Sequence, residues 1–397
     1  MNWRALISDI NLVWTTMGLT AAGLATAFVV GRWWGSQTLK KLVSEKNQAL
    51  AEKDREIAEL NRRVRERVPD PPASPDGLPP ESVQVWLKPI APADSELTGL
   101  QGRVPTLVIA NLKGGVAKTM VAANLSAYFS KRANYRRTAH LLNKRVLLID
   151  LDYQGSVSGM IMTATGAVPE HPNCQVKTLF DPAFSDDDVL NYRVRLAGAL
   201  PALSLYPATY GFDDLETREQ FRWLAGQTGD DVRLRLLKRL RSPAFRSQFD
   251  LVIIDTGPRL TTGSVAALTA ATHLLIPTSA SRRDTEAAER FMRRVSVLKR
   301  SGLCPNLKLV GVLTTLTKGS ASGVALAESA RGSIQAAVAN DPDLGVLIEA
   351  PAVVLHAELP QSLPIVNEAE QGLPYLASTS SRTIFNKIGA EIEQRMS

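Results

Sequence analysis

The chain has 397 residues, 46 Lys and Arg against 39 Asp and Glu for a net charge of +7, and 45% hydrophobic residues. That hydrophobic share excludes a disordered chain and suffices for one large core or two modest ones. Two cysteines, Cys174 and Cys304, exclude a disulfide framework and point to a reducing compartment, four scattered histidines argue against zinc, and the positive charge admits a polyanionic partner, nucleic acid or an anionic membrane face.

Residues 12–30 (LVWTTMGLTAAGLATAFVV) contain no charged side chain. About 20 such residues, rising about 1.5 Å each, match a hydrocarbon core of about 30 Å, so residues 1–35 are expected to form a membrane anchor. Trp14 stands at one end of the run and Trp33 and Trp34 at the other, where indole rings favour the boundary with water. Arg32, Lys40, Lys41 and Lys46 follow it, against Arg4 before it, which predicts a single pass with the C-terminal bulk in the cytoplasm. Two other readings compete: a signal peptide cleaved near Ala25-Thr26-Ala27, and a buried core helix, although the charged segment that follows offers no core to enter.

Residues 36–67 read as one polar helix, with Val43, Leu50, Ile57 and Val64 recurring every seventh position and Leu39 and Leu60 at the complementary ones. Lys46 and Lys53 interrupt the second seam, so a short coiled coil and a solvated single helix both remain open. The Pro-rich stretch VPDPPASPDGLPP ends the helix, and residues 68–102 are expected to be a semi-rigid linker.

From residue 103 to residue 397 the pattern changes. Apolar runs VPTLVIA, RVLLIDLD, LSLYPA, FDLVIIDTG, HLLIPTS and LVGVLTT alternate with helical stretches. That alternation predicts βαβ units: a doubly wound, mostly parallel sheet with helices on both faces.

Three motifs fall at strand ends, where ligands of such sheets lie. The first is ANLKGGVAKTM. Gly114 and Gly115 let backbone amides turn inward around a polyphosphate, Lys118 can meet its β and γ oxygens, and Thr119 offers a hydroxyl to Mg²⁺. The helix that follows adds the positive end of its dipole. An ordinary P-loop begins with glycine where this one has Lys113, an additional cation. The second motif is LLIDLDYQGS, in which Asp150 and Asp152 point to one side of the strand, followed by Gln154. The third, LVIIDTGP, delivers Asp255 to a strand end, as a carboxylate holding Mg²⁺ through water requires.

With these residues the sequence resembles the ParA/MinD family of deviant Walker A P-loop ATPases, whose motif is KGGxxKT. The likeness runs from residue 103 to the C-terminus and includes the tail element LPQSLPIVNEAEQGLPY; the aspartate-x-aspartate-x-glutamine pattern places it nearer ParA than MinD. It departs from the family at Ala117 for a common Gly, Met120 for a common Thr, Tyr153 for the usual Pro and Gly257 for Pro.

The resemblance implies ATP and Mg²⁺ as ligands, with ATP held by Gly114, Gly115, Val116, Ala117, Lys118, Thr119 and Met120. Adenine contacts would come from the strand end at Thr314-Thr315 and from Pro360. It implies catalytic roles for Lys113, reaching across an ATP-sandwiched homodimer to the partner's phosphates, for Lys118 on the β/γ charge, and for Asp152 orienting the attacking water. Thr119 would ligate the metal, with Asp150 and Asp255 in its outer shell. Combined with the N-terminal run, it predicts a switch tethered to the bacterial inner membrane, slow until stimulated by a ParB-like or other activating protein, that recruits or positions a protein or DNA-bound partner.

Basic clusters at residues 131–145, 233–246 and 282–300 suit non-specific DNA through phosphate neutralisation, or anionic lipid. Two further functions stay in view. One is a bacterial tyrosine autokinase, which couples a membrane segment to Walker motifs but carries a tyrosine-rich tail, whereas Tyr375 is the only tyrosine here after Tyr210. The other is a scaffold that holds ATP without hydrolysing it, its site altered at Ala117, Tyr153 and Gly257.

Overall fold

In the computed structural model, residues 81–91, 94, 95, 97, 104–131, 145–348 and 353–397 are described. The apolar runs become strands because nearly all their side chains are buried, alternate ones entering opposite cores. The strands are β1 (Thr106–Ile109), β2 (Val146–Asp150), β3 (Val194–Arg195), β4 (Leu203–Tyr206), β5 (Leu251–Asp255), β6 (His273–Ser279), β7 (Lys308–Thr317) and β8 (Leu359–Pro360). They form one eight-stranded sheet in the order β3-β4-β2-β5-β1-β6-β7-β8. Every pairing is parallel except β3 with β4. The six runs read from sequence are all present. The two added strands, β3 and β8, are two residues each, too short for any periodicity to announce.

The principal helices are α1 (Lys118–Lys131), α2 (Ser156–Thr165), α3 (Tyr210–Leu224), α4 (Thr262–Ala270), α5 (Arg282–Arg300), α6 (Ala321–Asn340), α7 (Leu363–Gln371) and α8 (Thr379–Met396). One face of the sheet, with Val108, Leu147, Ile149, Val252 and Ile254, packs against α3, α4, α5 and α6. The other, with Leu107, Ile109, Leu148 and Ile253, packs against α1, α2, α7 and α8. The caps are local: the Ser281 hydroxyl accepts the Asp284 amide at the start of α5, and Thr261 with Ser264 forms a capping box on α4.

One expectation is corrected and two are given structural detail. The membrane placement is the first: no helix among the described residues is long and apolar enough to cross a membrane. The described helices are instead layered on a sheet, and residues 12–30 lie outside the described residues, as does the heptad segment 36–67. The second concerns the linker at 68–102. The compact unit that holds the described residues is Pro79–Ser397, and Val83 and Trp86 are buried in its core. Trp86 stacks on Trp223 with ring centroids 6.1 Å apart, because an indole gains more from an aromatic partner and a dry pocket than from water.

The third concerns the basic cluster 233–246, whose arginines are largely used up inside the fold. Arg233 is 1% exposed; it donates to both Asp231 oxygens and to the carbonyls of Trp86 and Lys88, and lies over the Trp223 ring. Arg235 pairs with Glu219 and Asp230, and Arg239 with Asp186. A run of basic letters thus became a set of largely buried ion pairs, with neighbouring carboxylates at Asp230 and Asp231 and remote ones at Glu219 and Asp186. In the cluster 131–145, residues 132–144 lie outside the described residues, and Arg145 forks onto Asp250.

Candidate functional site

Parallel pairing brings the carboxyl ends of β1, β2 and β5 side by side, with Asp255 in register with both Ile109 and Asp150. The loop leaving β1 is fixed first by Asn111, which was not singled out from sequence. Its side-chain amide donates to the Pro277 carbonyl at 2.9 Å, and its oxygen accepts the Lys113 amide at 3.1 Å. Gly115 takes φ +75°, in the left-handed region that favours glycine. Ala117 takes φ +61°, where a Cβ costs roughly 1 kcal/mol, so the alanine that replaces a common family glycine carries strain. The Thr315 hydroxyl donates to the Val116 carbonyl at 3.2 Å and braces the loop from β7.

Lys118 opens α1 and folds back over the loop, its ammonium donating to the Lys113 carbonyl at 2.8 Å. It is 7% exposed. Burial lowers its pKa, while Asp255 and Asp152 act to raise it, so a cation is held inside against its own desolvation by two carboxylates. Thr119, the next residue, lies close enough to Asp255 to favour its charged form. Lys113 differs: its side chain is 48% exposed, and its ammonium stands 3.8 Å from Asp284 at the head of α5.

The three aspartates have three environments. Asp150 is fully buried, and its oxygens are taken by the Ser158 hydroxyl at 2.5 Å, the Ser158 amide and the Asp152 amide, both at 3.1 Å. Burial pushes its pKa up to about 7, against those hydrogen bonds. Asp255 is also fully buried, yet neither carboxylate oxygen has a hydrogen-bond partner of ordinary geometry. Burial first, and Asp150 second, raise its pKa well above the carboxylate range, with Thr119 and Lys118 opposing. Asp152 is only partly buried; one oxygen accepts the Gln154 amide at 3.1 Å.

A buried carboxylate without a partner signals a missing positive or donor group. The donors around it, carboxylate oxygens and the Thr119 hydroxyl, are hard and suit Mg²⁺. Among the described residues no cluster of three or more His, Cys, Asp or Glu forms a ready cage. Mg²⁺ keeps several waters and takes one or two carboxylates plus phosphate oxygens.

The structure therefore gathers Lys113, Gly114, Gly115, Val116, Ala117, Lys118, Thr119 and Met120 with Asp150, Asp152 and Asp255 at one end of the sheet. Thr315 is fully buried, and its hydroxyl buttresses that loop. Pro360 pairs with Thr317 at the neighbouring strand and is half-buried. Sequence reading missed Ser158 and Asp284. Ser158 follows Asp150 by eight positions on the next helix, a spacing that carries no signature, and Asp284 meets Lys113 only through the fold.

Residues 104–309 match the AAA domain family AAA_31. The chromosome-partitioning ATPase Soj of Thermus thermophilus is 30% identical over 222 residues, covering 55% of this chain and 72% of Soj. The chain belongs to the ParA-like P-loop ATPases. Within that family's fold, the ATP complex of McdA from Cyanothece superposes with a TM-score of 0.55 at 20% identity, covering 74% of this chain and 96% of McdA. ParA of pNOB8 bound to nonspecific DNA superposes with a TM-score of 0.51 at 19% identity, covering 74% and 98%. Likeness at that identity shows the fold alone. The ParA-like fold accounts for the parallel sheet order and for a phosphate-type loop between β1 and α1.

Proposed function

We propose that the chain is an ATP-dependent switch of the ParA type: it binds ATP with Mg²⁺, pairs with a second copy, hydrolyses ATP slowly and recruits or positions a protein or DNA-bound partner. The observation that carries this reading is the division of labour between the two lysines of the loop. Lys118 is buried against the loop carbonyl beside Asp255, whereas Lys113 is left half-exposed at the rim. A buried ammonium serves phosphates bound in its own protomer; a rim ammonium can serve those of another.

Gly114, Gly115, Val116, Ala117 and Met120 would shape the phosphate cradle with Lys118, and Thr119 with Asp255 would hold Mg²⁺, which supplies charge neutralisation on the phosphates. Asp150 would act by holding the loop through Ser158 and the Asp152 amide. Asp152, with one oxygen uncommitted, would orient the water that attacks the γ-phosphorus. Pro360 would border the base, and Thr315 would act through the loop. Pairing through Lys113 makes assembly depend on the third phosphate, and a partner that improves the geometry around Asp152 would act as the activator. The relatives named Soj and ParA support this reading.

Non-specific DNA contact is supported by α5, where Arg283, Arg290 and Arg294 lie on one helical face by their spacing of seven and four. Burial and the nearby Arg290 lower the Arg294 pKa, a crowding that an anionic backbone would relieve. The kinase reading loses support: Tyr375 is 6% exposed, its hydroxyl donating to Asn386.

The test uses the full chain with ATP, Mg²⁺ and a slowly hydrolysed analogue. Expected are analogue-dependent dimers by light scattering, lost in Lys113→Ala, and phosphate release lost in Asp152→Ala while analogue binding persists. Dimers without phosphate release would favour the scaffold, and analogue-driven dimers unchanged in Lys113→Ala would overturn the switch.

A further inference from the structure

Asp152 lies between two loops, the one that continues with Tyr153 and the one that holds Gly257. Neither residue fixes φ as a proline would, and Gly257 adds the freedom of a residue without Cβ. Gly257 also removes a wall: a Cβ built there would lie 3.7 Å from the Asp152 carboxyl carbon, in ordinary contact.

The structure ties the two loops together. The Arg259 guanidinium donates to the Tyr153 hydroxyl, joining the loop after β2 to the loop after β5. Arg259 is itself anchored, because its carbonyl accepts the Ser264 hydroxyl of α4 at 2.8 Å. The loop after β2 is pinned on its other side as well: the Leu151 amide donates to the Asp255 carbonyl at 3.0 Å, and the Gly155 amide to the Asp152 carbonyl at 2.7 Å. Asp152 is thus bracketed, with the Leu151 backbone bond before it and the Gly155 backbone bond and the Tyr153–Arg259 bond after it.

We infer that Tyr153 and Arg259 form a side-chain clasp that positions Asp152 for hydrolysis, doing by a hydrogen bond between loops what proline does by a fixed dihedral angle. The inference rests on the proposed ATPase reading, in which Asp152 orients the attacking water. Neither residue need touch ATP. Their effect falls on the angle and mobility of Asp152, and so on turnover instead of on binding.

The test measures steady-state phosphate release and analogue affinity for the full chain and for Tyr153→Phe, Arg259→Ala, the double variant and Arg259→Lys. Since a displacement of about 1 Å at a positioning group can cost roughly 100-fold in rate, loosening without removal is expected to lower kcat about tenfold. KM for ATP and analogue affinity should stay within about twofold, the double variant should be no slower than either single one, and Arg259→Lys should recover part of the rate. Amide exchange at residues 153–155 should quicken in Tyr153→Phe even with no nucleotide present. Unchanged kcat in Tyr153→Phe, or effects of the two single variants that multiply in the double, would overturn the clasp alone. Absence of phosphate release from the unsubstituted chain would overturn hydrolysis itself, and the clasp with it. Equal losses in kcat and analogue affinity would reassign the pair to general folding and also overturn the inference.

Discussion

The Lys113 ammonium stands 3.8 Å from one Asp284 oxygen, while the other oxygen accepts the Ser279 hydroxyl at 2.5 Å. The cation at the rim is therefore loosely parked on the head of α5 within its own protomer. A pair with one partner this exposed is worth at most about 1 kcal/mol, so it can delay the release of Lys113 without preventing it. Asp284→Asn is expected to lower the analogue concentration needed for half-maximal pairing by about fivefold at most, measured by sedimentation velocity at low salt. The difference should shrink at high salt, because exposed charges are screened.

Glu216 of α3 gives a second prediction, in pH. One of its oxygens accepts the Thr261 hydroxyl at 2.8 Å and the Gly263 amide, tying α3 to the start of α4. Burial raises its pKa from 4.5 to about 7 against those bonds. Between those two values the folded chain keeps a proton that the unfolded chain has released. The stability supplied by this group is thus whole below about pH 4.5 and lost as pH rises to about 7. Glu216→Gln keeps an acceptor oxygen and has no charge to bury. In urea titrations its advantage over the parent chain should grow from pH 5 to pH 8, reaching up to about 3 kcal/mol.

Arg233 predicts the largest loss of stability. Removing its guanidinium leaves Asp231 without its partner and the Trp86 and Lys88 carbonyls without their donor. Arg233→Met should cost about 3–5 kcal/mol in chemical unfolding. Arg233→Lys should recover little, since a single ammonium cannot fork toward four acceptors.

The face of α5 predicts a salt effect. With analogue present, replacing Arg283, Arg290 and Arg294 by alanine should weaken binding to duplexes of unrelated sequence alike. The slope of log affinity against log salt should flatten by about 0.9 for each phosphate that is no longer neutralised. Unchanged affinity would place DNA contact elsewhere. Arg282, Arg293 and Arg300 are weaker candidates, being paired with Glu286, Asp341 and Asp343.

The strands and the phosphate-type loop were legible because local chemistry specifies them. Four successive buried residues before Asp255 can be only a central strand, and KGGVAKT carries its own backbone demands. What stayed hidden depends on partners far away in sequence. Arg235 and Arg239 read as surface charge until Glu219 and Asp186 were brought to them. The Thr315 hydroxyl meets the Val116 carbonyl 199 residues away, a brace that no local pattern announces. The apolar run 12–30 was read by length and lack of charge alone and lies outside the described residues, none of whose helices is long and apolar enough to cross a membrane.

The sheet closes at both margins with strands of two residues, β3 on one side and β8 on the other. Stubs so brief expose few unpaired amides and carbonyls, and β3 runs against its neighbour, so among the described residues neither margin offers a long template along which further copies can stack. Growth into ribbons or fibrils by edge annealing is thereby discouraged. The pairing proposed above is then left to side-chain surfaces, where geometry can make the encounter finite and reversible.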